Sequence, residues 1–227
     1  NGRPCRPGEG NLKGYRMWGQ PYIHRESWVQ GKSRRLPHSP DPPYQNYPAL
    51  VQAARQVERN NLVFMAAADF DWRFVVINWH AHLQRLGISN AIVLSMDAEL
   101  HAHLVHRGIA SADNSANVDA WNQTCLQRHI QRVRMERHVA LAALLLSGLD
   151  VLLTDATVIF VRDVRPELAA LAAMSGDLGM DFAVQRDGGP SGAYKKIGSC
   201  VNAGFIFARA PAKPAARTAV LSFFNDL

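Results

Sequence analysis

Leu62-Val63-Phe64-Met65-Ala66 is an unbroken apolar run, the form taken by a strand buried on both faces. Ala91-Ile92-Val93-Leu94 and Val151-Leu152-Leu153 repeat it, and Val158-Ile159-Phe160-Val161 predicts another extended piece. Phe182-Ala183-Val184 and Phe205-Ile206-Phe207 predict further strands. Between these runs the period turns helical. From Asp69 to Leu86, Phe70, Phe74, Ile77 and Leu83 recur on one side, and Gly87 closes the helix. Asp97 is suited to cap a helix that ends by Gly108. A long helix, roughly residues 120–146, turns Trp121, Leu126, Ile130, Val133 and Val139 inward and stops at Gly148. Pro48 suits a first helical position, so a short helix is expected from there to about Arg59. Strand-helix alternation of this kind predicts an α/β fold: a mostly parallel sheet with helices on both faces.

The first 60 residues have a different character. They hold eight of the 12 prolines, including the run Leu36-Pro37-His38-Ser39-Pro40-Asp41-Pro42-Pro43. Proline fixes φ and removes an amide donor, so the segment is expected to be an extension or stem that follows the surface. Its rings (Tyr15, Trp18, Tyr22, Trp28, Tyr44, Tyr47) are expected to anchor it against the folded domain, a partner surface being the alternative. The domain itself is placed at residues 61–227.

Charge sharpens this division. The formal charge of +6 belongs entirely to residues 1–60, while residues 61–227 hold 15 basic and 15 acidic side chains. The pI near 9.5 therefore does not describe the folded part, and a nucleic-acid partner is not expected. At 48% hydrophobic and 19% charged, the chain can bury a core. Its longest central uncharged stretch, Val139 to Leu149, is 11 residues, too short for a membrane span, which takes about 18 or more. The chain begins Asn-Gly and shows no signal peptide, so a targeting segment is expected outside it.

Open α/β sheets bind ligands beyond the carboxyl ends of their strands. That directs attention to Asp69, Asp97, Asp155 and Asp187, each at or just after a predicted strand. Asp155 is the sharpest. An acid leaving a buried strand is costly to desolvate unless it faces a cation or a solvated cleft. A cap or turn role is the alternative, for Asp155 and equally for Asp187 before Gly188-Gly189.

The stretch Leu145 to Asp163, with its Leu-Leu-Ser-Gly, apolar strand, Thr154-Asp155-Ala156-Thr157 and Arg162-Asp163, resembles the metal-site region of the nucleotide-diphospho-sugar transferase family. Members of that family include plant cell-wall xylosyltransferases and arabinosyltransferases. Asn78-Trp79, Arg85-Leu86-Gly87-Ile88-Ser89-Asn90, Gln185-Arg186-Asp187 and Asn202-Ala203-Gly204-Phe205 resemble further family segments, in the expected order, across about residues 61–225. The resemblance implies a GT-A fold, a Rossmann-type sheet that binds a nucleotide sugar, with a divalent metal, Mn²⁺, at an Asp-x-Asp motif. It implies transfer from a UDP-sugar to a glycan or glycoprotein hydroxyl, and a Golgi-lumenal setting. It also implies a domain continuing past Leu227, since such enzymes often take acceptor contacts from further downstream. By position, Asp155 matches the first acid of the motif and Thr157 stands at the second, where the direct metal ligand usually lies. A neutral hydroxyl is a weaker ligand for a hard cation than a carboxylate. Thr157 thus motivates an alternative: an inactive relative that binds nucleotide or glycan. Asp69, Asp97, Arg137, Asn202 and Gly204 are the further donor-binding candidates, with an exposed helix charge as the alternative for Arg137, and Asp187 is a candidate on the acceptor side. Asp163, followed by Val164 where the family has proline, is read as structural.

Other signals carry less. His101, His103 and His106 do not form a four-ligand zinc set with a Cys or acid. Cys5, Cys125 and Cys200 lack paired spacing, and no nucleophile-elbow or P-loop pattern occurs.

Overall fold

In a computed structural model of the chain, residues 47–120, 129–173, 182–187 and 200–210 are described. Proline at the first helical position starts α1 (Pro48–Val57). β1 (Leu62–Ala68) is followed by a 3₁₀ turn (Phe70–Trp72) and α2 (Arg73–Arg85). β2 (Ala91–Ser95) leads into α3 (Ala98–Val105), whose amide end is capped by the Asp97 carboxylate accepting from Leu100 N at 2.7 Å. β3 (Ser111–Asp113) and α4 (Ser115–Ala120) follow. Then come α5 (His129–Leu146), β4 (Asp150–Thr154), α6 (Arg165–Ala173), β5 (Phe182–Asp187) and β6 (Cys200–Ala208).

The strands form one sheet in the order β3-β2-β1-β4-β6-β5. The first four are parallel, while β6 lies antiparallel between β4 and β5. Because β1 and β4 are covered on both faces, alternate residues point into two cores. Val63 and Met65 join Leu50 and Ala54 of α1 and Leu141 and Leu144 of α5. Phe64 and Ala66 join Val76, Trp79 and Leu83 of α2, Leu100 and Leu104 of α3, and Leu168 of α6. The mixed α/β fold with a mostly parallel sheet is thus the one the strand-helix alternation implies, and it is consistent with a GT-A arrangement.

Several local expectations change. The piece at Val158–Val161 is a loop with Ile159 and Val161 exposed; only Phe160 is buried, edge-on to Phe64 at 5.9 Å. Both edges of β4 are already taken by β1 and β6, which leaves no ladder for another strand there. In α2 the buried side is Val76, Trp79 and Leu83, while Phe74 is 68% exposed. Phe74 stands nine residues before Leu83, half a turn away round the same helix, and Phe70 lies in the 3₁₀ turn ahead of it. The described part of α4 ends at Ala120 and α5 is described from His129; residues 121–128, with Trp121 and Leu126, lie outside the described residues. Strand β3 is three residues of an edge, too short and polar to show as an apolar run.

Candidate functional site

Parallel pairing aligns the carboxyl ends of β1, β2 and β4. Ala68 is opposite Ser95, and Ala66 is opposite Thr154. Asp69, Asp97 and Asp155 therefore leave the sheet along one edge. Strand β6 runs the other way, so its first half, with Asn202 and Gly204, returns to that same edge, and Asp187 ends β5 there opposite Cys200. Topology gathers all four acids at the edge where such sheets take ligands.

The acids then differ. Asp97 uses both oxygens on backbone: Oδ1 caps α3, and Oδ2 accepts from Phe70 N at 2.7 Å. It ties the β1 loop to α3. Asp69 opens the 3₁₀ turn, its carbonyl accepting from Trp72 N at 3.1 Å. Asp155 follows Thr154, whose hydroxyl accepts from the buried Trp79 Nε1 at 2.9 Å and so anchors the end of β4 to α2. The backbone N–H of Asp155 donates to Gly204 O at 2.8 Å, which extends the β4–β6 ladder by one residue.

Around Asp155 the geometry is close. Arg137, reaching from α5, pairs through Nη1 with Asp155 Oδ1 and donates from Nη2 to Ala203 O at 3.2 Å. The arginine side chain is 14% exposed and that of Asp155 45%, so the pair closes one wall and leaves the carboxylate facing solvent. Gly204 N donates to Asn202 Oδ1 at 2.8 Å, and Asn202 Nδ2 reaches Gln185 Oε1 on β5 at 3.5 Å. A Cβ on Gly204 would fall 2.9 Å from both Asp155 Cγ and Asn202 Oδ1, so only glycine lets the acid lie against the strand. Arg137, Asp155, Asn202 and Gly204 therefore form one hydrogen-bonded group.

The next residue along α5, His138, is held neutral. Burial is the main cause, with the Arg137 charge adding to it, and together they push its pKa down to about 4. Glu136, on the other side of Arg137, is buried and accepts from the Tyr47 hydroxyl and from Asn114 Nδ2 at 2.8 Å. Burial and the Glu136 charge push the Tyr47 hydroxyl far up, so it stays protonated and donating. This network pins α1 and the end of β3 to α5 and fixes the turn of helix that carries Arg137. Its sequence signal is spacing: Glu136 stands four and eight residues before Ala140 and Leu144, on the line that faces the core. Asp163 pairs with Arg165 at the start of α6 through Oδ1 at 2.9 Å and Oδ2 at 2.8 Å, and that hydrogen bond draws its pKa down; its role is structural.

A model of the nucleotide-diphospho-sugar transferase family matches residues 86–218, more than half of the chain. The chain belongs to that family. Its members are transferases that use nucleotide-diphosphate sugars as donors, and the matched span contains Arg137, Asp155, Asn202 and Gly204. No curated protein and no solved structure matches the chain.

A divalent metal at Asp155 is poorly served by its surroundings. One oxygen of the carboxylate is held by a guanidinium, and Thr157 is a neutral, exposed side chain in the turn after Asp155. Among the described residues no three His, Cys, Asp or Glu side chains gather to hold an ion. A hard cation wants several oxygen ligands, with carboxylates for charge, and this donor set offers one carboxylate already shared. Among the described residues no helix is long and apolar enough to cross a membrane.

Proposed function

We propose that the protein moves a glycosyl group from a UDP-sugar to a hydroxyl of a glycan or glycoprotein, in the Golgi lumen. The observation that carries this is the hydrogen-bonded group of Arg137, Asp155, Asn202 and Gly204 at the carboxyl end of β4, inside the span of the family match. In the transfer, the acceptor hydroxyl gives up its proton to a nearby carboxylate or to water and its oxygen forms a bond to the anomeric carbon, while the bond from that carbon to the diphosphate breaks. The electron pair leaves with UDP. Positive groups fixed beside the diphosphate stabilise the charge as it develops. Arg137 is suited to that task. Asp155 Oδ2, with no partner among the described residues, is suited to accept from a hydroxyl of the donor. Asn202 is suited to the sugar, and Asp187, at the same edge on β5, is the candidate acid on the acceptor side. Asp69 lines that edge, while Asp97 supports it through its two backbone contacts.

Titration of the chain with UDP by calorimetry tests the donor site. Asp155→Ala is expected to weaken binding by about tenfold or more, the size of one lost charge-assisted hydrogen bond, with the circular dichroism unchanged because Asp155 is half-exposed. Unchanged affinity would remove Asp155 from the site. Thr157 favours a second reading, a relative that binds the nucleotide without turnover; UDP bound but never released from a UDP-sugar would be its mark.

A further inference from the structure

We propose that Arg137 takes the place of a divalent cation in this site, so that the donor diphosphate is bound by the guanidinium and its binding needs no metal. This rests on the nucleotide-sugar reading above and specifies how the anion is held. The first observation is the ion pair itself: the acid that matches the first position of the family's metal motif already has a cation on it, and that cation is a side chain. A doubly charged ion at the same carboxylate would lie against a fixed positive charge and be repelled by it. The second is the turn after β4, where Thr157 offers no charge to a metal.

The third observation is the donor inventory of Arg137. A guanidinium has five N–H groups in a planar fork. Asp155 takes one and the Ala203 carbonyl takes another. Nε is buried and has no hydrogen-bond partner among the described residues. A buried N–H without a partner is costly, and a planar fork with spare donors matches two phosphate oxygens. The fourth is rigidity. Glu136, one residue earlier, is locked to Tyr47 and Asn114, so the helix turn that bears Arg137 cannot drift. Asp155 and Ala203 then aim the fork from the far side, which keeps a long side chain preorganised for an anion.

The test measures UDP binding to the full chain by calorimetry, once in EDTA and once in excess Mn²⁺. The wild-type affinities are expected to agree within about twofold. Arg137→Ala should weaken UDP binding in EDTA by more than about tenfold, and Mn²⁺ should not restore it. Arg137→Lys keeps the charge without the fork and should fall between the two, which holds the test open if the alanine variant does not fold. An affinity that rises about tenfold or more on adding Mn²⁺ to the wild type overturns the proposal and leaves the donor assignment intact. No UDP binding under either condition overturns the donor assignment itself.

Discussion

Arg137 and His138 are neighbours on α5 with opposite electrostatic fates. The arginine pairs with Asp155, whereas burial chiefly, and that arginine next, hold the histidine neutral with a pKa near 4. The sign of the pH effect follows. Above about pH 6.5 His138 is neutral folded or unfolded, and its contribution is fully present. Between about 6.5 and 4 the unfolded chain takes a proton that the folded one refuses, so stability falls as pH falls. The loss approaches ~3 kcal/mol at pH 4. Urea unfolding of wild type and His138→Gln across this range should show the difference, because the variant lacks the titrating ring. Asp155 and Arg137 were legible as residues, the acid from its place after an apolar run and the arginine from its family position. Their pairing was not legible, since a contact between α5 and the end of β4 has no local signature in the chain.

At the scale of elements, the strands were the most readable feature, because parallel strands covered on both faces are continuous apolar runs. Direction was hidden. The same kind of run describes parallel β4 and antiparallel β6, and nothing in Phe205-Ile206-Phe207 announces which way it lies. Helix phase was misread in α2 because Phe74 and Leu83, nine residues apart, stand on opposite sides of the helix, so Trp79 rather than Phe74 faces the sheet. That orientation matters to the site. The Trp79 indole N–H and the Thr154 hydroxyl are a buried pair fastening β4 one residue before Asp155. Thr154→Val keeps the shape and removes the acceptor, leaving the indole donor unsatisfied. Denaturant unfolding should register a loss of about 1–3 kcal/mol.

For the whole molecule, the contrast between a basic, proline-rich front and a neutral remainder gains a structural edge at Tyr47. This ring is buried against Glu136, and α1 behind it seats Leu50 and Ala54 in the core beside β2, β3 and α5. Of the rings expected to anchor the extension, Tyr47 is buried, and the other five lie outside the described residues. Residues 1–46 hold eight basic and three acidic side chains, so a chain starting at Tyr47 drops from +6 to +1. That shortened chain is expected to keep its melting temperature within a few degrees and to lose its retention on a cation exchanger. A chain starting at Asn61 loses α1 and uncovers part of one face of β2 and β3. The burial of Leu50 alone is worth about 2 kcal/mol, so thermal unfolding should occur at clearly lower temperature, with aggregation.

The glycine opposite Asp155 has a consequence for descent. The space a side chain at position 204 would fill is the space the Asp155 carboxylate occupies, although the two positions are far apart in the chain. A lineage that enlarged one would have to shrink the other. Loss of the acid removes the constraint on the glycine, so among divergent copies of this gene the two positions should erode together, and a retained Asp155 beside any larger residue at 204 would mark a copy whose site has already been rebuilt.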